Sequence, residues 1–258
     1  MTQKNLLSCK PSSYGPYALH AFEHLASLGV HHLEVDLEQE RLAAELMDEF
    51  GLKAASVVGK FPSEVLGDLQ ALRGSAGDQA DRAVALGTKV VFASVDPGSL
   101  PEVAWVEALR VVGDEFEARG VTLSIETHPP LAFNGQEAAR TLQLVDHPRV
   151  KLNFDTANVY YYNEGPVDAL QELSHVVDDV ASVHLKDTDG GYHSWHFPAL
   201  GDGVVDFPGV FAALNAAGFH GPFTLEIEGV EGETPTLELV KGRVEASVEY
   251  LRLEGLVE

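Results

Sequence analysis

Apolar and polar positions alternate in short runs along this chain, and each run is followed by a stretch in which apolar residues recur every three or four positions. A period of two marks a strand, and the longer period marks a helix with one buried face. From the N-terminus, LLSC at 6–9 reads as a strand, and Leu19, Phe22, Leu25 and Leu28 give a helix over 16–28. The same signals predict strands at 31–36, 54–58, 90–95, 121–127, 150–155, 181–186 and 223–228. Between and after them the spacing predicts helices over 40–50, 62–72, 78–86, 101–119, 136–145, 167–178, 207–217 and 236–253, with a loop around Gly74 and Gly77. Gly29, Gly51, Gly87, Gly120 and Gly218 stand where a helix hands over to the next strand, the place of a left-handed C-terminal cap.

Eight strands alternating with helices, with no linker or low-complexity tract, predict one parallel α/β domain over 1–258. The length of 258 residues is close to the ~250 typical of a (β/α)8 barrel. A doubly wound open sheet is the alternative, but the Gly-rich nucleotide fingerprint expected after its first strand is missing. A single TIM barrel is therefore the expected fold.

Strands buried on both faces normally read as continuous apolar runs, and the third and fourth nearly do. Strands five to eight do not. Alternation puts Thr122, Ser124, Glu126 and His128 on one inward face, Lys151, Asn153 and Asp155 on the next, then Ser182, His184 and Lys186, then Thr224, Glu226 and Glu228. Carboxylates are rarely buried unless paired or bound to a cation, so several at converging strand ends argue for a metal or a reacting group. Glu126, Asp155, His184 and Glu226 lie near the C-terminal strand ends, where barrels build active sites. Three carboxylates and one imidazole form an oxygen-rich set suited to one divalent metal, Mn²⁺ or Mg²⁺, with Co²⁺ or Zn²⁺ admitted by the nitrogen.

Charge narrows the partners. Seventeen basic against forty acidic residues give a net charge of −23, which opposes nucleic-acid binding. No apolar run approaches the ~20 residues of a membrane span. The start, MTQKNLLSCKPSS, has no long apolar core after a basic segment, and Cys9 is the only cysteine. Neither a signal peptide nor a disulfide framework is expected, and a cytoplasmic location is. The oligomeric state stays open.

The runs IETHP, NFDTAN, HLKD, GDGVVDF and GFHGPFTLEIE, in this order and spacing, resemble the sugar isomerase and epimerase family with the xylose-isomerase-like TIM barrel. The resemblance spans essentially the whole chain, with its specific motifs in the second half. It implies that Glu126, Asp155, His184 and Glu226 bind one divalent metal and that Glu126 and Glu226 also move protons. Such chemistry removes a proton beside a carbonyl, and a metal holding the neighbouring oxygens stabilises the enediolate that results. His128 and Lys186 follow their ligand neighbours by two residues and are expected to bond sugar oxygens. Glu34 resembles the family's glutamate on the second strand and is expected to support a ligand or touch substrate, with a surface salt bridge as the alternative.

Two departures separate this chain from the family pattern. Asn158 stands where many relatives have a histidine, and Gly190 where ketose 3-epimerases commonly carry an arginine. The loop GGYHSWHF offers His193, Trp195 and His196 instead, and Tyr160, Tyr161 and Tyr162 follow the sixth strand. Asn158, Trp195 and His196 complete the expected substrate contacts. The implied activity is a metal-dependent isomerase or epimerase of a keto sugar or related polyol. A dehydratase of the inosose dehydratase kind is the runner-up, because the same proton removal leads to elimination when a hydroxyl leaves the next carbon. An endonuclease IV-like nuclease and a non-catalytic sugar-binding protein are distant alternatives. The loops after strands seven and eight contain one lysine and no arginine, so an unphosphorylated sugar is expected.

Overall fold

Parallel pairing runs once round the molecule, through β1 (Leu7–Cys9), β2 (His32–Asp36), β3 (Lys53–Val58), β4 (Val90–Ala93), β5 (Thr122–Glu126), β6 (Val150–Asp155) and β7 (Val180–Leu185). A short β8 (His196–Phe197) leaves the ring, β9 (Phe223–Leu225) completes it, and Leu7 pairs with Phe223 to close the barrel. β10 (Gly229–Val230) pairs antiparallel with β8 outside it. The structure, a computed structural model, describes residues 4–258. Of the span expected for the domain, residues 1–3 lie outside the described residues.

The helices are α1 (Ala21–Ser27), α2 (Glu40–Phe50), α3 (Ser63–Leu66), α4 (Leu69–Ala85), α5 (Glu102–Glu117), α6 (Gly135–Val145), α7 (Asn158–Tyr161), α8 (Ala169–Ser174), α9 (Phe207–Ala216) and α10 (Leu237–Leu253). Several start where a side chain takes the place of the missing carbonyl partner: Asp68 accepts from the amides of Gln70 and Ala71, and Asn134 from that of Glu137. The five hand-over glycines all have positive φ, from 68° to 85°.

Four expectations change. Pro11–His20 forms 3-10 turns before α1, because Gly15, at φ 55°, interrupts the coil ahead of Pro16. α4 runs straight through Gly74 and Gly77. Gly77 is buried, and a Cβ there would lie 2.8 Å from the Arg119 guanidinium, so this glycine permits close packing inside a helix and makes no loop. The helix expected over 167–178 ends at Ser174, whose hydroxyl bonds back to Gln171 O before a 3-10 turn at Val177–Asp179. The last barrel ladder stops at Leu225, because the Ile227 amide turns to the Ser13 hydroxyl.

Inside the ring, small hydroxyl side chains satisfy one another. Ser8 and Thr224 lie 2.6 Å apart, Ser124 and Ser182 2.7 Å, and Asn153 Nδ2 donates to Ser182 Oγ at 2.7 Å. Lys151, in phase with them by alternation, instead stays part-exposed and pairs with Asp179 near the strand starts. The inward hydroxyls and the Asn153 amide nitrogen thus form a bonded layer beneath the strand ends, in which Asn153 Oδ1 alone lacks a partner.

Candidate metal and substrate site

Register brings the four ligand-type residues level. A shift between Leu152 and Asn153 sets Asp155 directly beside His184 on the next strand, and Glu126 ends β5 beside Asn153. Glu226 lies one residue past β9, where its amide still donates to Leu185 O at 3.1 Å. One ligand atom from each of Glu126, Asp155, His184 and Glu226 falls within 4.8 Å of the others.

Their remaining atoms are already spoken for. Asp155 Oδ1 accepts from the amides of Ala157 and Asn158, both at 2.9 Å. His184 Nε2 lies 3.0 Å from Glu34 Oε1, and Glu34 Oε2 accepts from Ser56 at 2.8 Å. Glu34 is fully buried, which removes the surface salt bridge as an account of it. It holds the imidazole so that Nδ1 faces the cluster, the orientation a metal-ligating histidine needs. Asp155 Oδ2, His184 Nδ1 and Glu226 Oε2 are buried and make no hydrogen bond of regular geometry, meeting one another and Lys186 only as close ion-pair contacts. Three carboxylates and one imidazole, converging from four neighbouring strand ends, fit a divalent cation.

Two lysines flank this set. Lys186 Nζ is 2.8 Å from Glu226 Oε2, 2.8 Å from Glu228 Oε2 and 3.1 Å from Asp155 Oδ2. Lys10 Nζ is 2.5 Å from Glu226 Oε1. The two glutamates consequently differ. Burial, then the charge of Glu226, pushes Glu126 above the ordinary carboxylate value. Burial works the same way on Glu226, but Lys186, His184 and Lys10 outweigh it and hold it well below. Burial disfavours the imidazolium of His184, yet Glu226 and Glu34 push its pKa up to about 10. Carboxylates with environments this different suit opposite roles in proton transfer.

Above the cluster opens a chamber of about 440 Å³ lined by Lys10, Phe92, Glu126, His128, Asn158, Tyr161, Tyr162, Lys186, Trp195, Phe197, Glu226 and Glu228, among others. His128, Lys186, Asn158 and Trp195 all line this chamber. Lys186 is almost fully buried and engaged by carboxylates, so it reaches into the ligand cluster more than toward the chamber's edge. Asn158 spends its amide nitrogen on Thr127 O at 2.9 Å and lies 3.4 Å from Glu126 Oε1, bracing that glutamate. His128 packs edge-on against Tyr162, and Trp195 against Phe197.

His196 is a correction. Pairing of β8 with β10 puts Trp195 and Phe197 on the chamber side, and alternation turns His196 away from it. Tyr160 likewise turns to α8, where its hydroxyl accepts from the Ala169 amide. Phe197 and Lys10 line the chamber without any sequence signal that marked them. Lys10 follows the first strand, and only barrel closure brings it to Glu226, 216 positions away.

The loop that carries Trp195 is tied down by one buried carboxylate. Asp187 Oδ1 accepts from the amides of Thr188 at 2.9 Å and Val205 at 3.2 Å, and Oδ2 from those of Gly201 and Gly203, both at 2.9 Å. A Cβ at Gly203 would meet Asp187 Oδ1 at 2.3 Å, so the run GDG lets two amides approach one carboxylate.

Residues 20–252 match the family described as xylose isomerase-like TIM barrel. An L-ribulose-5-phosphate 3-epimerase of Salmonella paratyphi C is 32% identical over 138 residues, 53% of this chain and 47% of that protein. An inosose dehydratase of Geobacillus thermodenitrificans is 28% identical over 139 residues, 48% of this chain and 46% of that protein. The chain thus spans about half the length of these relatives in each match. A crystal structure of D-psicose 3-epimerase with D-tagatose, from Clostridium cellulolyticum H10, superposes with a TM-score of 0.76 at 16% identity, covering 99% of this chain and 100% of that one. At that identity the likeness is one of fold.

Proposed function

The chain belongs to the xylose isomerase-like TIM barrel family, and on that premise we propose that it is a metal-dependent isomerase or epimerase of an unphosphorylated keto sugar or related polyol. The observation that carries this reading is the convergence of one ligand atom from each of Glu126, Asp155, His184 and Glu226 within 4.8 Å. These four residues would hold one divalent cation, Mn²⁺ or Mg²⁺ by their oxygen-rich chemistry. When bound, the cation supplies Lewis acidity toward the substrate's carbonyl and neighbouring hydroxyl oxygens.

The protein's own groups do the rest. Glu126 and Glu226, with two strands between theirs around the ring, exchange the proton on the carbon beside the carbonyl, one removing and the other returning it. His128 and Lys186 offer donors to sugar oxygens, Asn158 braces Glu126, and Trp195 and Phe197 present aromatic faces. Basic side chains around the opening are paired with carboxylates: Lys10 with Glu226, Lys60 with Glu38, Lys186 with Glu228 and Arg243 with Glu233. That pairing supports a free sugar over a phosphate ester. No helix among the described residues is long and apolar enough to cross a membrane. With its one cysteine free and buried, the protein suits a reducing compartment, and the cytoplasm is part of this reading.

The test is to load the protein and Asp155→Ala with Mn²⁺, measure bound metal, and follow deuterium uptake from D₂O into D-tagatose, D-fructose and L-ribulose. One metal per chain in the wild type alone, with label and an epimer or isomer as product, is the expected result. Equal metal in both proteins overturns the site. Similarity to an inosose dehydratase favours elimination as the second reading, and a dehydrated product from an inosose would establish it. Matched sugars with and without phosphate decide the last point, and a higher kcat/KM for the phosphate overturns the free-sugar assignment.

A further inference from the structure

Lys10 stands outside the ligand set and outside every motif of the second half, yet it touches the carboxylate that both metal binding and proton transfer require. Its amide donates to Leu225 O at 3.0 Å, which fixes its backbone beside the residue preceding Glu226. Its ammonium lies 2.5 Å from Glu226 Oε1 and 4.0 Å from Glu34 Oε1, and 5.0 Å from the centre of the Phe92 ring. The side chain is 19% exposed, and it lines the chamber.

The two oxygens of Glu226 therefore have different neighbours. Oε2 faces His184 Nδ1 at 3.1 Å and Lys186 Nζ at 2.8 Å. Oε1 is held by Lys10. That last torsion is soft, so without a further bond the carboxylate plane could swing away from the position in which one oxygen meets the ligand cluster and the other meets the chamber. A charge-assisted bond to Oε1, roughly twice as strong as a neutral one, holds the plane at that angle. Each carboxylate oxygen has two lone pairs, so Oε1 can accept from Lys10 with one and still take a proton from substrate with the other.

We propose that Lys10 is a positioning residue that divides the work of Glu226, keeping Oε2 for the metal and presenting Oε1 to the proton in transfer. The proposal rests on the metal-dependent isomerase or epimerase reading above. Removing the ammonium leaves all four ligands in place and Lys186 still beside Glu226, so metal binding survives while the proton-transferring oxygen loses its fixed direction. The step itself is unchanged: where Glu226 removes the proton, the C–H bond breaks, its electron pair stays with the substrate and the proton passes to Oε1, and where Glu226 returns it, the same bond forms in reverse.

Lys10→Met and Lys10→Gln are compared with the wild type in two measurements, Mn²⁺ titration by calorimetry and turnover of the ketose that the wild type labels fastest among D-tagatose, D-fructose and L-ribulose. Melting temperature of each variant serves as the check on folding. Expected is a Mn²⁺ affinity within about 3-fold of wild type, a kcat at least about 30-fold lower, and a KM changed by less than about 3-fold, consistent with loss of part of a general acid–base contribution of about 100-fold or more. Lys10→Arg, which keeps a cation in reach of Oε1, should recover most of kcat. Wild-type kcat in both Met and Gln variants overturns the proposal, and so does a fall in Mn²⁺ affinity that matches the fall in kcat. A wild type that binds no Mn²⁺ and labels none of the three ketoses overturns the functional reading and this proposal together. A wild type that does both, beside fully active variants, overturns the proposal alone.

Discussion

Replacing Asp187 by Asn changes one atom of a buried side chain and should release the loop that carries Trp195 over the chamber. Both carboxylate oxygens are doubly occupied, Oδ1 by the Thr188 and Val205 amides and Oδ2 by those of Gly201 and Gly203. An Asn keeps one acceptor oxygen and points an NH₂ group at two N–H donors. Two hydrogen bonds to a charged group are lost, at about 1.5–3 kcal/mol each, or roughly 3–6 kcal/mol. Relief of the desolvation of a buried charge offsets part of this and moves the expectation to about 3 kcal/mol. At about 2–4 °C per kcal/mol for a chain of this size, the melting temperature should fall by roughly 6–12 °C. Urea unfolding followed by circular dichroism gives the free energy. Tryptophan emission of the folded variant reports the loop, because Trp195 is exposed at the chamber while Trp105 is buried in α5. Gly203→Ala, whose Cβ would lie 2.3 Å from both Asp187 Oδ1 and Thr188 O, should act through the same contact. A loss below about 1 kcal/mol for Asp187→Asn, the size of one ordinary hydrogen bond, would refute the clamp.

Other substitutions address the site directly. Glu34→Ala should lower Mn²⁺ affinity by about 10–100-fold without removing a ligand, since it frees the His184 ring that Glu34 holds at 3.0 Å; unchanged affinity by calorimetry would place Glu34 outside the site's support. Glu126→Gln and Glu226→Gln each keep a coordinating oxygen but lose the base, so turnover should drop by at least about 100-fold, and near-normal rates in both would remove them from the chemistry. Burial pushes the Cys9 thiol up to about 12 from 9.0, so the native thiol should resist iodoacetamide at pH 8.5 and react only after unfolding. The sign of the linked stability is fixed by that shift: the contribution is intact below about pH 9 and is lost as pH rises toward about 12, where the unfolded chain alone sheds the proton. Cys9→Ala should flatten that alkaline limb of the unfolding curve.

The order of elements and the inward-facing ligands followed from the sequence because both are local properties. Side-chain direction in a strand repeats every two residues, so Glu126, Asp155, His184 and the Glu226 beside the last strand could be placed on one face before any pairing was known. Glycine at a helix end signals a left-handed residue wherever it occurs, and the five hand-over positions obeyed that rule. Inside α4 the same residue type gave the wrong signal, because Gly77 answers to Arg119, which is 42 positions away and invisible to local spacing. Parity decided His196: only the antiparallel match of Val230 to His196 and Gly229 to Phe197 sets which face of that strand meets the chamber. Closure of β9 on β1 brought Lys10 to Glu226, and the second strand's inward turn buried Glu34 behind His184. What the sequence by itself determined was therefore the period, and with it the barrel and its ligand-bearing faces. What only the tertiary structure decided was which atoms of distant strands and loops share a hydrogen bond, since register, closure and loop return depend on packing the whole chain at once.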